Sequence, residues 1–382
     1  MCFEIERNGD SMPKIILITG GAGFIGSHLA DDLLEQGYGV RVLDSLDPQV
    51  HPDGARPRYL SRDVELVVGD VRDGAALRRA LEGVDAVFHL AALVGVGQSM
   101  YRIDDYTAVN DLGTAVLLQA LIERPVERLI TASSMSIYGE GLYLGPEGRR
   151  IENAARQSVQ FKNGDWDPLA EDGTPLQPLP TPEDKQPSLA SVYALGKYVQ
   201  ERMPLIVGGA YGIAATALRF FNVFGARQAL SNPYTGVLAI FASRLMNGRP
   251  PLIYEDGQQR RDFVHVRDVA CACRLALERP ETTGLAINVG SGRSYTIDEV
   301  AVRLADALGK PEIRPEITGR YRVGDIRHCF ADMTLARERL GFKPRYDLES
   351  GLGDLVEWLE GQIAIDRVDQ AAAELSARGL VA

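Results

Sequence analysis

The 382-residue chain contains few cysteines and few histidines. Its four cysteines form no CxxC pair and share no metal-ligand spacing with the five histidines, so we expect reduced thiols and no metal site. No stretch approaches the roughly 18 apolar residues that a membrane span requires, and residues 1–13 lack the apolar run of a signal peptide. These absences predict a cytoplasmic protein without a membrane segment.

Positive charge is also scarce. The 41 Lys and Arg residues are outnumbered by 52 Asp and Glu residues, and the net charge is −11. This balance argues against a nucleic-acid partner, which would need a concentrated basic face. It does not argue against a nucleotide ligand, because a diphosphate needs only a few arginines and backbone N–H groups.

Apolar segments alternate with helical patterns along the first third of the chain. The run 15–19 predicts a buried strand, and Ile25, Leu29 and Leu33 recur at helical spacing before Gly37. Further predicted elements are strands at 40–43, 64–68, 86–90 and 128–132 and helices at 75–81 and 106–122. The alternation predicts a doubly wound parallel sheet, which binds ligands beyond the carboxyl ends of its strands.

Residues 141–189 interrupt this alternation of strands and helices. The segment is rich in Pro, Gly, Asp and Glu and lacks sustained periodicity, so we interpret it as a largely irregular surface insertion. A second irregular segment, 228–236, precedes a predicted helix at 237–247. The shorter strands and helices that follow suit a smaller α/β cap domain.

A glycine-rich turn joins the first strand to the first helix. Gly20, Gly23 and Gly26 allow a tight turn, close approach to a pyrophosphate and close helix packing. The helix N-terminus adds unpaired N–H groups and a positive dipole end. Asp44 ends the second strand, where an acid bonds the adenosine ribose and repels a 2′-phosphate. The pattern therefore predicts NAD rather than NADP.

Tyr193 and Lys197 stand four residues apart and share one face of a helix. A nearby ammonium favours the phenolate and lowers the tyrosine pKa, which makes the phenol a usable base for an alcohol proton. Alone, this spacing is common by chance. Ser134 follows the fifth strand, and by itself is better explained as a hydroxyl that caps the next turn.

Together with the glycine turn and residues 133–139, these residues resemble the extended short-chain dehydrogenase/reductases from about residue 13 to about residue 360. The resemblance implies that Tyr193 is the base, that Lys197 holds the nicotinamide ribose and that Ser134 bonds the reacting sugar oxygen. It also implies a homodimer formed by the helices near 106–122 and 191–207. The other residues implied at the NAD site are Phe24, Ile25, Asp70, Val71, Ala91, Ala92 and Asn110, and a structural role explains Asn110 equally well.

Three later segments, 219–225, 260–266 and 322–325, resemble the half of this family that binds a nucleoside diphosphate sugar. The resemblance places Arg261 and Arg322 on phosphates, because guanidinium forks suit phosphate oxygens. The remaining implied substrate contacts are Ser134, Ser136, Asn222, Val237 and Asp325. His265 lies in an alternating apolar run and is interpreted as structural.

The resemblance predicts two domains. An NAD-binding domain covers 13–221, includes the insertion 141–189 and is re-entered near 263–290. A nucleotide-sugar-binding cap covers 222–262 and 291–382.

The resemblance leaves four candidate reactions: 4-epimerisation, 4,6-dehydration, decarboxylation of UDP-glucuronate and NAD(P)H-dependent reduction of a 4-keto sugar. Dehydratases carry an Asp-Glu pair directly after the Ser or Thr, and decarboxylases typically carry Glu at the second of these positions, whereas this chain has Met135 and Ser136. Epimerisation needs no further acid or base and is favoured. Residues 134–141, the insertion and 228–236 resemble the dTDP-L-rhamnose 4-epimerase branch. UDP-hexose and UDP-uronate epimerisation stay open, because no single residue decides uracil against thymine.

Overall fold

The computed structural model describes residues 13–322 and 324–381. The expectation that residues 1–13 form no signal peptide therefore concerns positions that lie almost entirely outside the described residues, and the predicted end of the cap at residue 382 lies outside them too. In chain order the strands are β1 (Ile15–Thr19), β2 (Gly39–Asp44), β3 (Glu65–Val68), β4 (Ala86–His89), β5 (Arg128–Ser134), β6 (Leu142–Leu144), β7 (Arg150–Ile151), β8 (Gln177–Leu179), β9 (Ala214–Phe220), β10 (Asn222–Phe224), β11 (Leu252–Ile253), β12 (Arg260–His265), β13 (Ala286–Val289), β14 (Ser294–Thr296), β15 (Glu316–Ile317) and β16 (His328–Cys329).

The α-helices complete the layers around these strands. They are α1 (Phe24–Glu35), α2 (Gly74–Ala80), α3 (Val96–Ser99), α4 (Ile103–Tyr106), α5 (Gly113–Glu123), α6 (Ser158–Asn163), α7 (Val192–Tyr211), α8 (Val237–Met246), α9 (Val266–Glu278), α10 (Ile297–Ala307), α11 (Leu348–Leu359) and α12 (Val368–Ala377). Across the described parts of the chain, none of the helices combines the length and the apolar character needed to cross a membrane.

A seven-stranded parallel sheet forms the centre of the molecule, in the order β3-β2-β1-β4-β5-β9-β13. Apolar residues of α1 and α9 pack on one face, and those of α2 and α5 pack on the other. The chain changes direction across the sheet between β3 and β4, so a crevice opens at the carboxyl ends of β1 and β4. The predicted doubly wound Rossmann fold is confirmed.

The predicted insertion is more ordered than its sequence suggests. Strands β6, β7 and β8 form a small antiparallel sheet, and α6 lies between β7 and β8. Most of residues 141–189 nevertheless lie outside helices and strands, as predicted. The strands have only two or three residues, which is too short for an alternating pattern to be recognised.

A second apolar cluster lies in the C-terminal part of the chain, where α8, α10 and α11 pack beside β10 and β12. The two cores meet within β12, because Phe263 belongs to the second cluster whereas Val264 belongs to the cluster of the large sheet. This arrangement places β12 between the sheet and the predicted cap. The exact domain limits stay a prediction.

Candidate active site

The glycine turn lies at the crevice between β1 and β4. Gly20 has a φ of +68°, and a Cβ there would lie 2.8 Å from the Ala91 Cα. A Cβ on Gly26 would lie 2.5 Å from the Gly21 Cα, so any side chain would separate helix from turn. Helix α1 has no side-chain N-cap. Its first N–H groups therefore suit the pyrophosphate of a dinucleotide.

Asp44 lies at the end of β2, as predicted, and its carboxylate also organises the turn. It accepts hydrogen bonds from the Ala22 N–H at 3.0 Å and from the Leu46 N–H at 2.9 Å. The residue is buried and lines the same cleft as the glycines. A second anionic group such as a 2′-phosphate would be repelled here, which fits NAD.

The other predicted NAD residues divide into two groups. Phe24, Ile25, Asp70, Val71, Ala91 and Ala92 line the cleft. Asp70 is held by Arg72, which donates to its carboxylate at 2.6 Å and lowers its pKa. Asn110 lies behind the wall, where its amide bonds the N–H and the carbonyl of Leu93 at 2.8 and 3.1 Å. Of the two interpretations left open for Asn110, the structure favours a supporting role.

Ser134, Tyr193 and Lys197 come together where the NAD cleft meets a second cavity. Helix α7 is capped by Ser191, whose hydroxyl accepts from the Ala194 N–H at 3.1 Å. Tyr193 and Ser134 line both cavities, whereas Lys197 lines the NAD cleft. Ser134 also accepts from the Ser136 N–H at 3.1 Å, so it caps the next turn as well as facing the site.

The electrostatics of this trio differ from the expectation. The pKa of Tyr193 is raised because the phenol is buried, and the Ser134 hydroxyl acts in the opposite direction. Burial lowers the pKa of Lys197 to about 7, and its ammonium donates to the Ala132 carbonyl at 3.1 Å. Without a bound cofactor, Lys197 therefore does not depress the pKa of Tyr193, because burial opposes charge on both groups.

Two buried histidines support the fold around the site. His89 bonds the hydroxyls of Thr19 and Thr114 at 2.8 and 2.9 Å, and burial lowers its pKa to about 3. This polar link between β1, β4 and α5 had no recognisable signal in the sequence. His265 lies 3.2 Å from the Asp354 carboxylate and stacks on another ring, which agrees with the structural role predicted for it.

The second cavity lies between the large sheet and the C-terminal part. The residues predicted to bind substrate line it: Ser134, Ser136, Asn222, Val237, Arg261, Arg322 and Asp325. Val323, inside the predicted 322–325 motif, lies outside the described residues. Two of these side chains carry a buried polar atom without a hydrogen-bond partner in the protein: the Oδ1 of Asn222 and the Nε of Arg322. Such atoms suit a polar ligand.

The two arginines of this cavity are held differently. Arg322 lies over the ring of Tyr254, with its guanidinium carbon 4.3 Å from the ring centroid. Arg261 donates to the Ile326 carbonyl and, at 3.0 Å, to the Arg327 carbonyl. Part of the Arg261 fork is therefore already used by the protein, whereas the Arg322 Nε remains unpartnered.

The C-terminal helix α12 forms a further wall, which the sequence did not predict. Apolar side chains from this end of the chain line the cavity: Val368, Ala371, Ala372, Leu375 and Leu380. Glu374 accepts hydrogen bonds from the hydroxyls of Tyr101 and Tyr234 at 3.1 and 3.0 Å. These contacts join α12 to the loops on either side of the cavity.

Comparison with known proteins agrees with this geometry. Residues 16–162 and 168–290 match the NAD dependent epimerase/dehydratase family. This chain belongs to that family. The predicted relationship to extended short-chain dehydrogenase/reductases is thereby confirmed, as is the prediction of an enzyme of the NAD-dependent epimerase type.

Individual members of the NAD-dependent epimerase/dehydratase family match over nearly the whole chain. A dTDP-L-rhamnose 4-epimerase from Burkholderia thailandensis is 35% identical over 92% of this chain and 96% of its own length. The crystal structure of a UDP-glucose 4-epimerase from Thermotoga maritima with UDP-glucose is 31% identical, covers 91% of this chain and 99% of its own, and has a TM-score of 0.74.

A third similar protein bears on the cofactor. The structure of the UDP-glucose 4-epimerase from Thermus thermophilus, a complex with NAD, is 32% identical with a TM-score of 0.71. It covers 91% of this chain and 100% of its own. The predicted cofactor, NAD, is confirmed by the family and by such complexes.

Proposed function

We propose that this protein is a nucleotide-sugar 4-epimerase whose substrate is dTDP-L-rhamnose, with dTDP-6-deoxy-L-talose as the product. The class of reaction is supported by the family and by the epimerases named above. The choice of sugar is supported by the relative from Burkholderia thailandensis and by the chemistry of the second cavity. UDP-hexose epimerisation is the second candidate, because the Thermotoga maritima structure holds UDP-glucose.

One observation carries the choice of epimerisation: the catalytic wall of the cavity offers a phenol and hydroxyls but no carboxylate. Ser134, Ser136 and Tyr193 are its polar side chains, and Met135 lies between the serines. Of the described residues that line the cavity, Asp325 is the one carboxylate, and it lies on the opposite, cap side beside Arg261 at 3.8 Å. Elimination of water across C5–C6 would need an additional acid and base at the sugar.

Each residue of the site has its own role in this reaction. Tyr193 takes the proton of the C4 hydroxyl, while Ser134 bonds the same oxygen and Lys197 holds the nicotinamide ribose. NAD bound in the cleft would supply reversible hydride transfer at C4. The cavity would leave room for the oxidised sugar to turn, and Tyr193 would return the proton to the C4 oxygen of the epimer. Oxidation and reduction therefore balance without an external reductant.

The cavity favours a neutral sugar with an apolar C6 group. Val94, Met100, Met135 and Leu375 contribute apolar surface. Arg261 and Arg322 are the cations that line the described part of the cavity, and both are assigned to the diphosphate. A sugar carboxylate would then be buried without a counter-charge, which costs several kcal/mol. We therefore place UDP-glucuronate below dTDP-L-rhamnose as a substrate.

The test is incubation of the purified protein, without added reductant, with dTDP-L-rhamnose, UDP-glucose, UDP-galactose and UDP-glucuronate. Proton NMR and mass spectrometry identify the products. We expect a product of unchanged mass with an inverted C4 from dTDP-L-rhamnose, and loss of this activity in Tyr193→Phe. Loss of water or of carbon dioxide, or turnover only with added NAD(P)H, would refute the proposal. Faster epimerisation of UDP-glucose would select the second candidate.

A further inference from the structure

A cluster of buried charges connects the insertion to the turn that carries Arg322 and Asp325. Its arginines are Arg156 and Arg327, whose side chains are 4% and 2% exposed. Glu255, between them, is 1% exposed. None of these three residues lines the NAD cleft or the second cavity, and the proposed chemistry does not use them. Removing charged side chains from water costs free energy, so such a cluster is retained where its contacts have a role.

Arg156 extends from the insertion to two other parts of the chain. Its Nη1 donates to Glu255 at 2.7 Å, and its Nε lies 3.2 Å from Glu140. Its Nη2 donates to the backbone carbonyl of Asp325 at 2.7 Å. The guanidinium therefore bonds directly to the main chain of a residue that lines the substrate cavity.

Arg327 is held from the other side by a second residue of the insertion. Its Nε donates to Asp167 at 2.7 Å, and its Nη2 donates to Asp256 at 2.9 Å. Asp167 also lies 3.2 Å from the Nε2 of His328. The carboxylate of Asp167 thus joins the insertion to two consecutive residues, Arg327 and His328, that come shortly after Asp325 in the chain.

Aromatic contacts reinforce the same connection. Phe161, in α6, lies 4.5 Å from the ring of Tyr321, measured between centroids. The guanidinium of Arg156 lies 5.0 Å from the centroid of the Phe161 ring. Tyr321 directly precedes Arg322, whose guanidinium rests on Tyr254. The insertion therefore contacts the chain on both sides of Arg322 and Asp325.

The turn itself has little regular structure to hold it. Of the described residues between the two-residue strands β15 and β16, namely 318–322 and 324–327, Arg322 is the one that forms a β-bridge, an isolated one to Val381. Without other contacts, ordering such a segment costs about 1–2 kcal/mol per residue. Displacement of a binding group by about 1 Å is enough to reduce activity strongly. The Glu255 N–H donates to the Arg320 carbonyl at 2.7 Å, and Arg261 donates to the carbonyls of Ile326 and Arg327. Contacts from the insertion add to these bonds and to the order that a diphosphate site requires.

We propose that Arg156 and Asp167 are positioning residues: they hold segment 320–328 so that Arg322 and Asp325 face the nucleoside diphosphate. The insertion thus stabilises the segment that carries the substrate-binding residues. This proposal rests on the proposed function, because it takes Arg322 and Asp325 as the nucleotide-diphosphate contacts.

The test uses the full NAD-loaded protein and the variants Arg156→Gln and Asp167→Asn. Binding of TDP and of UDP is measured by calorimetry, and hydrogen exchange is followed in peptides that cover 320–328 and β5. We expect both variants to bind the nucleotides at least about tenfold more weakly, a loss of about 1.4 kcal/mol. Exchange should become faster in 320–328 but not in β5. NAD content and kcat at saturating sugar should stay within about twofold of wild type, so that the loss appears in KM.

Arg150→Gln is the matched control. Arg150 pairs with Glu152 and Asp184, both outside segment 320–328, and its side chain is 41% exposed. Its nucleotide affinity should equal that of wild type. Unchanged nucleotide affinity in Asp167→Asn would overturn the proposal, even if Arg156→Gln fails to fold. Parallel loss of NAD and of protection in β5 would also overturn it, because the residues would then be merely structural. If wild type binds neither TDP nor UDP, the proposed function itself fails, and this proposal with it.

Discussion

We expect Lys197 to make the folded protein less stable than a neutral side chain would at the same position, because its charge is buried. The residue is 4% exposed, and its ammonium bonds the Ala132 carbonyl at 3.1 Å. Within the described part of the chain, no carboxylate forms an ion pair with it. Substitution by Met keeps a similar length and removes the charge. We expect Lys197→Met to stabilise the NAD-free protein while abolishing or greatly reducing epimerisation.

The size of the effect follows from the pKa. Burial lowers the pKa of Lys197 from 10.5 to about 7, which corresponds to roughly 5 kcal/mol at about 1.4 kcal/mol per pH unit. The variant leaves the Ala132 carbonyl without its partner, at a cost of about 1–3 kcal/mol. A net gain of about 2–4 kcal/mol in the free energy of unfolding therefore remains at pH 7.

The sign of the pH dependence is fixed by proton binding. Between pH 7 and 10.5 the unfolded chain keeps the proton on Lys197 and the folded protein loses it, so wild-type stability rises with pH. The advantage of Lys197→Met should therefore be largest at or below pH 7 and shrink by roughly 3 kcal/mol by pH 9.5.

Urea unfolding of the NAD-free proteins at pH 6.5, 8 and 9.5 measures this difference. Lys162→Met, at an exposed position of α6, is the control, and its difference from wild type should not follow the same trend. An advantage of Lys197→Met that is independent of pH, or one that grows towards pH 9.5, would refute the reasoning.

Two further predictions concern the cofactor and the assembly. Asp44→Asn should bind NAD about 10–100-fold more weakly, because it loses a charge-assisted bond to the ribose. Its preference for NAD over NADP should also decrease. Titration of the NAD-free variant with both cofactors measures both effects, and an unchanged preference would contradict the role of Asp44. The homodimer stays a prediction. The π-helical segment Thr107–Leu112, which leads into α5, packs against α7, because a Cβ at Gly196 would lie 3.4 Å from the Asn110 Cβ. Leu112 in this segment and Leu195 in α7 are 53% and 47% exposed. Leu112→Glu combined with Leu195→Glu should convert a dimer into a monomer in light scattering, and a dimer that persists would place the interface elsewhere.

Packing explains why some candidate interface residues could not be assigned beforehand. By their spacing in the helix, the apolar residues Val116, Leu117 and Leu121 suit either the core or a subunit contact. Leu117 and Leu121 are completely buried under the sheet, and Val116 is partly buried against the same cluster. Periodicity showed that one helix face is apolar, but it could not show which neighbour covers that face.

The local sequence was sufficient to predict the Rossmann half of the fold. Strand β1 and helix α1 lie where the apolar pattern placed them. Gly20 must adopt a positive φ, Gly26 must leave room for the turn, and Asp44 must follow β2. Each of these requirements is met within a few residues of chain, so the sequence by itself determined the fold class, the cofactor and the position of Tyr193 and Lys197 on one helix.

Contacts between distant segments determined the features of the site that the local sequence did not predict. The pKa of Tyr193 depends on burial by surrounding elements rather than on its spacing from Lys197. Arg156 bonds a carbonyl 169 residues away, and Glu374 bonds Tyr101 across 273 residues. No periodicity or motif records such pairs, because their energies arise only when the complete chain removes water from both partners. Only the tertiary structure therefore showed that α12 lines the second cavity and that the insertion contacts the segment that carries Arg322 and Asp325.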